Sequence, residues 1–306
     1  MSSISDNSTA STLPQWSLFH PSPNLCLRCI SSVALALIAG SALWLGGWYF
    51  VGLVALVSLG LSWEYCHLAR LRSFKPRPYL VGVCSLAMVL IHSFNFETST
   101  QGWLSMVVLL WCLFCSALDN VFHPQERSSA MADSALNCMA VLYCGFLPAL
   151  MISLRHIHLF LVAFVVLICI VTDVGAYAIG RTLGCSKLCP CVSPGKTWAG
   201  FWGALGCSFL AAWGGYVGSQ ALQLDLQFNL FFWLVLGLGC SLMGQLGDLY
   251  ESSLKRDAQA KDSGDAIPGH GGLLDRFDSY LFATMFAYFM VAFTVSLAPL
   301  TRFFTS

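Results

Sequence analysis

Nine apolar runs dominate this chain, at about 29–46, 48–66, 79–96, 103–118, 132–152, 157–180, 199–219, 228–247 and 278–300. Each approaches the roughly 20 residues that an α-helix needs to cross a bilayer. Lipid offers no partner to exposed backbone N–H and C=O groups, so such a segment must close its hydrogen bonds internally, as a helix. The expected fold is all-α: a polytopic membrane protein with about nine transmembrane helices. Composition agrees, since 57% of the 306 residues are hydrophobic and 10% are charged, against about 25% charged in soluble domains. The run at 103–118 is short, and the first two runs meet at Gly46-Gly47-Trp48 with almost no loop.

Lys and Arg set the expected orientation. With the N-terminus in the cytoplasm, the loops after the second, fourth, sixth and eighth runs carry Arg70, Arg72, Lys75, Arg77, Arg127, Arg181, Lys187, Lys196, Lys255, Arg256, Lys261 and Arg276. Only Arg155 and Arg302 fall on the other side, and Arg28 belongs to the inner tail. Residues 1–25 are rich in Ser, Thr, Asn and Pro with Asp6 as their single charge, the composition of a disordered tail. No basic n-region precedes the first apolar run, so no cleavable signal peptide is expected. Residues 26–306 read as a single transmembrane domain without internal repeats. The net charge of zero gives no basic field to attract nucleic acid.

Most of the 14 cysteines lie inside apolar runs, where they act as small buried hydrophobes. The cluster Cys185, Cys189 and Cys191 surrounds Pro190 and lacks a fourth ligand at finger spacing, which disfavours structural zinc.

Charge is concentrated in 247–278, GDLYESSLKRDAQAKDSGDAIPGHGGLLDRFD, which holds eleven of the thirty Asp, Glu, Lys and Arg residues. Asp248, Ser252 and Lys255 are spaced i, i+4, i+7, so a helix continuing out of the eighth run carries a carboxylate, a hydroxyl and an ammonium on one face. Arg256 and Lys261 follow, then Pro268-Gly269-His270-Gly271-Gly272, then Asp275-Arg276-Phe277-Asp278 leading into the ninth run. Carboxylates beside several cations and a glycine-rich turn suit a phosphate ester held with Mg²⁺. Hard oxygen ligands take the metal, while ammonium, guanidinium and amide groups neutralise the remaining phosphate oxygens. A solvated loop of mixed charge is the alternative. Against it, both ends of the stretch merge into membrane runs at Asp248 and Asp278, where an uncompensated carboxylate is costly.

Two further sites precede this stretch. Ser193-Pro194-Gly195-Lys196-Thr197 opens the seventh run and ends like a phosphate loop, but Gly195 has no glycine partner five positions earlier, which excludes a Walker motif. Lys196 with the Ser193 and Thr197 hydroxyls can still hold a phosphate, the alternative being a snorkelling lysine beside a helix cap. Asp173 lies inside the sixth run, where acidic residues are functional candidates or interhelical hydrogen-bond partners. Glu64, near the cytoplasmic end of the second run, reads as a packing or interface residue.

Residues 252–278 resemble the signature of the phosphatidate cytidylyltransferase (CDP-diacylglycerol synthase) family: Ser252-x-x-Lys255-Arg256, Lys261-Asp262, then Pro268-x-His270-Gly271-Gly272-x-x-Asp275-Arg276-x-Asp278. The stretches at 173–180 and 193–200 also look like family segments. The resemblance implies the reaction of CTP with phosphatidate to give CDP-diacylglycerol and pyrophosphate. It implies Mg²⁺ as cofactor, with a second, monovalent cation as an open question, in a homodimeric multi-pass enzyme of the cell (inner) membrane with cytoplasmic active-site loops. By carry-over, Asp248 and Asp275 are the principal metal ligands, Asp262 and Asp278 further candidates, and Lys196 faces the phosphates. Lys255, Arg256, Lys261 and Arg276 would neutralise charge in catalysis. Ser193, Thr197, Ser252, His270, the Gly271 and Gly272 amides and Asp173 would line the substrates. No general base is required, because a phosphate monoester with a second pKa of about 6 is already ionised. Two rival readings are a CTP-dependent polyprenol or dolichol kinase, against which the long signature argues, and a transporter using Asp173, for which repeat symmetry is missing.

Overall fold

The computed structural model describes residues 23–123, 129–184, 186–224, 226, 228–264, 266 and 271–303, and side chains within 31–295 of these. Each apolar run forms a helical segment. The helices are α1 (Pro23–Leu45), α2 (Gly47–Leu71), α3 (Pro78–Ser93), α4 (Thr98–Phe122), α5 (Ala130–Ala140), α6 (Leu147–Ile157), α7 (Leu159–Leu183), α8 (Trp198–Ala221), α9 (Leu230–Asp257) and α10 (Leu274–Phe303). A short antiparallel hairpin, β1 (Lys187–Cys189) and β2 (Ser193–Thr197), separates α7 from α8. Among the described residues, six helical stretches are long and apolar enough to cross a membrane: Gly47–Leu71, Thr98–Phe122, Ala130–Ile157, Leu159–Leu183, Leu230–Asp257 and Leu274–Val295. The short run at 103–118 is thus part of a full-length 25-residue helix. The first, third and seventh runs fall outside those six. Ser31–Leu45 and Pro78–Ser93 are short, and α8 is rich in Gly and Trp, which lower its hydropathy.

The fifth run is one span built in three parts, with a π-helical turn at Val141–Phe146 joining α5 to α6. Pro148 has no N–H to offer the Cys144 carbonyl four residues earlier. That carbonyl is buried, and the Ser58 hydroxyl on α2 donates to it at 2.6 Å. Such a substitution matters in a membrane bundle, where apolar contact alone does not distinguish a neighbouring helix from lipid. Similar polar links join other helices: Thr172 on α7 donates to Ser241 on α9 at 3.0 Å, and His92 on α3 pairs with Ser153 on α6 at 2.7 Å.

Helices α7 to α10 pack side by side, with α10 also against α6 and α2, while α2, α3 and the α5–α6 span form the adjoining group. Leu61, Met88, Tyr143, Leu150, Ile168, Trp233, Leu236 and Leu281 fill the shared interior. At one end of the bundle the basic segments meet. Arg72 pairs with Asp257 at 3.4 Å, joining the end of α2 to the end of α9, and Arg256 donates to the Val192 carbonyl at 3.2 Å, fixing the hairpin against α9.

Replacing Ser58 by Ala leaves the Cys144 carbonyl buried without that donor. The expected cost is about 1–3 kcal/mol, seen as a lowered unfolding temperature in detergent, whereas Ser41→Ala, at an exposed hydroxyl bonded to the Ile38 carbonyl, leaves the temperature unchanged.

Candidate active site

Part of the charge of 247–278 is drawn into a compact cluster where α9, α10, α2 and the hairpin meet. Asp248 and Glu251 lie one turn apart on α9, and Asp278 approaches from α10. Their approach depends on Gly247, where a Cβ would collide with the Asp278 carbonyl. One carboxylate oxygen from each of Asp248, Glu251 and Asp278 lies within 4.8 Å of the others. Glu251 is 1% exposed, and its Oε1 has no hydrogen-bond partner among the described residues. A buried carboxylate oxygen left unpaired is expensive, and an all-oxygen, anionic donor set matches what Mg²⁺ prefers. The residues therefore fit a hard divalent cation.

Lys196 closes one side of this cluster. The hairpin carries its Nζ to 2.7 Å from Asp248 Oδ2, with the Gln245 carbonyl at 3.3 Å. Ser252 donates to Asp248 Oδ1 at 3.4 Å. Asp173, exposed on α7, lies within electrostatic reach of Asp248, Lys196 and Asp278.

Lys255 closes the other side. Its Nζ sits 2.7 Å from Glu251 Oε2 and 2.6 Å from Asp275 Oδ1, an ammonium shared by two buried or nearly buried carboxylates. The second oxygen of Asp275 accepts from the Ser263 N–H at 3.0 Å and the Gly272 N–H at 2.9 Å, and the Ser263 hydroxyl oxygen lies 3.1 Å from it. Asp275 is thus tied on both oxygens to its own turn and to Lys255. The start of α10 is held by Glu64 of α2, which accepts from the Leu273 N–H at 2.7 Å and the Leu274 N–H at 2.8 Å. These are N–H groups that a helix start leaves unpaired and that favour an anion.

The structure thus brings together Asp248, Ser252, Lys255, Asp275, Asp278 and Lys196. It does not bring all sequence candidates to the cluster. Arg256 faces the hairpin, Lys261, Asp262 and Arg276 are exposed, and Asp262 lies beside Gly271. Thr197 is the N-cap of α8, its hydroxyl accepting from the Gly200 N–H at 3.1 Å, so the capping alternative holds for that residue. Ser193 starts β2 opposite Cys189. The Gly272 amide is spent on Asp275, and Gly271 adopts φ 81. His270 and Cys185 lie outside the described residues; Cys189 and Cys191 are free thiols on the hairpin.

Two residues do more here than the sequence shows: Glu251, which no motif singles out, and Glu64, which reads as a packing or interface residue. Glu251 stands three residues after Asp248 and four before Lys255, so helical spacing alone places it on the same face. Glu64 carried the signal of an acidic residue in an apolar run, but nothing local shows that its partner lies about two hundred residues away.

A family model described as the cytidylyltransferase family matches residues 26–294. The chain belongs to that family. Among curated relatives, a phosphatidate cytidylyltransferase of Synechocystis sp. is 34% identical over 298 residues, covering 86% of this chain and 95% of the relative. One of Bacillus subtilis is 34% identical over 218 residues, covering 70% and 78%. One of Staphylococcus epidermidis is 33% identical over 261 residues, covering 84% and 95%. The match to the cytidylyltransferase family spans both halves of the bundle, the Glu64-bearing α2 as well as the signature.

The two lysines of the cluster differ in burial, and their removal separates them. Lys255→Met leaves Glu251 and Asp275 without their shared counter-ion and should cost about 3–5 kcal/mol. The more open Lys196–Asp248 pair should contribute about 0–1 kcal/mol. Denaturation of the two variants in detergent checks the order.

Proposed function

We propose that this protein transfers CMP from CTP to phosphatidate, giving CDP-diacylglycerol and pyrophosphate. The observation that carries the reading is the carboxylate cluster of Asp248, Glu251 and Asp278, flanked by Lys196 and Lys255 where α9 and α10 approach each other. In a cytidylyltransferase-family chain this arrangement suits two anions that must meet.

Asp248, Glu251 and Asp278 would hold Mg²⁺, and Asp275 would join them only by giving up Lys255. The ion, when bound, supplies charge neutralisation at the triphosphate and at the departing pyrophosphate. The chain's own groups do the rest. A phosphatidate oxygen attacks the α-phosphorus of CTP, the new P–O bond forms in line with the bond to the β-phosphate, and pyrophosphate leaves with the electron pair of that bond. Lys196, released from Asp248, is placed to take a phosphate oxygen. Arg256, Lys261 and Arg276 give the rim of the site a positive character that suppresses repulsion between the substrates. Ser193, Ser252, His270 and the Gly271 amide remain substrate contacts in this reading. Phosphatidate arrives already ionised, so no side chain is assigned as base.

The wider reading follows from the same chemistry. In this reading the bundle crosses the cell (inner) membrane about nine times, with a cytoplasmic N-terminus, so that the basic loops meet CTP and the lipid enters from the side. A homodimer completes it, as the family resemblance implies.

Purified protein in detergent, given CTP, phosphatidate and Mg²⁺ with each omitted in turn, should release pyrophosphate and form a CDP-lipid only when all three are present. Release of CDP with a phosphorylated polyprenol would instead indicate a kinase. Glu251→Gln and Asp248→Asn should each lower kcat by ~10²-fold or more, as expected where electrostatic stabilisation of a transition state is removed. Asp275→Asn should also abolish turnover, and it should lower the unfolding temperature as well, because it takes one of the two carboxylates from Lys255.

A further inference from the structure

Glu64 lies in the amino-terminal half of the chain, far from every motif that points to chemistry, yet its carboxylate is embedded in the signature. It is 4% exposed. Oε1 accepts from the Leu273 N–H at 2.7 Å, and Oε2 accepts from the Leu274 N–H at 2.8 Å. The Ser263 hydroxyl lies 2.8 Å from the same Oε2. That hydroxyl also lies 3.1 Å from Asp275 Oδ2. One hydroxyl carries one proton, so Glu64 and Asp275 compete for it.

The fit around Glu64 is tight on every side. A Cβ at Gly272 would collide with Ser263 Oγ and come within 2.6 Å of Glu64 Oε2, and one at Gly264 would come within 3.0 Å of Glu64 Oε1. One turn earlier on α2, a Cβ at Gly60 would lie 2.6 Å from Leu273 Cδ2. The 60–64 face of α2 is therefore moulded to the turn at 263–264 and 272–274. Asp275 follows directly, and Asp278 lies one turn further along α10.

We propose that Glu64 is a positioning residue for the transfer reaction. It fixes the first turn of α10 so that Asp275 and Asp278 face Asp248, Glu251 and Lys255 on α9, and by taking Ser263's proton it leaves Asp275 to Lys255 and the backbone. Because it acts through the backbone N–H groups of Leu273 and Leu274, its loss shifts the carboxylates without touching a substrate. This inference rests on the cytidylyltransferase reading for its kinetic consequence, and on geometry alone for its structural one.

The test uses the full-length protein in detergent, as wild type and as Glu64→Asp, which keeps the charge and withdraws it by one methylene. With misplacement of reacting groups costing up to ~10²-fold, Glu64→Asp should lower kcat about 10- to 100-fold while KM for CTP stays within about threefold. Amide hydrogen exchange should quicken at 272–275 and remain unchanged in α7 and α8. Wild-type kcat with wild-type exchange at 272–275 overturns the proposal. So does a lowered unfolding temperature with fewer active molecules but an unchanged kcat per active molecule, which is the mark of a merely structural role. If the wild type forms no CDP-lipid, the functional reading fails by itself, and exchange at 272–275 alone decides the positioning role. If Glu64→Asp does not fold, Glu64→Gln takes its place, keeping the side-chain length and replacing one acceptor oxygen by a donor beside the Leu273 and Leu274 N–H groups; a loss of kcat at constant KM with quicker exchange at 272–275 supports the role, and wild-type kcat with wild-type exchange overturns it.

Discussion

One ammonium group holds the centre of this molecule together. Lys255 lies between Glu251 on its own helix and Asp275 at the start of the next, and each carboxylate, taken out of water, would be costly without it. The pairing decides where α10 begins relative to α9. It also leaves Glu251 with one oxygen bonded to the lysine and the other without a hydrogen-bond partner among the described residues, in a side chain that groups with Asp248 and Asp278. An arrangement that satisfied every carboxylate would be a more stable bundle and a poorer place for a metal and a triphosphate.

The surrounding fold makes that arrangement affordable. In lipid, a backbone or side-chain polar group has no water to fall back on, so the bundle supplies partners from distant parts of the chain. Ser58 serves the carbonyl to which Pro148 offers no N–H, Arg155 donates to the Leu43 carbonyl at the end of α1 at 3.0 Å, and Glu64 serves the first N–H groups of α10. In each case a helix interruption or end is completed by a side chain from another helix. The two halves of the bundle are joined by polar contacts at their irregular points and by apolar contacts elsewhere.

Much of this was legible in the residues themselves. Every apolar run became a helical segment, because a lipid-length run without charge has no other way to satisfy its backbone. The density of charge and glycine at 247–278 marked the stretch that supplies most of the cluster, and helical spacing put Asp248, Ser252 and Lys255 on one face. The same spacing holds Glu251, but a second acid in a charged segment looks like solvated surface until its burial is known. Thr197 and Gly272 were legible only in kind. A hydroxyl before a helix and an amide beside an acid can each bind phosphate or stay within the chain, and here both take partners within it.

The sequence by itself determined the class of fold, the end of the bundle where charge gathers and the signature that marks the family, because hydropathy period and motif spacing are properties of neighbouring residues. Only the tertiary structure decided which carboxylates converge, which of them Lys255 neutralises, and that Glu64 belongs with them. Those are contacts between helices that are distant in the chain. They depend on how closely backbones can approach at Gly247 and Gly272, and no local pattern encodes that separation.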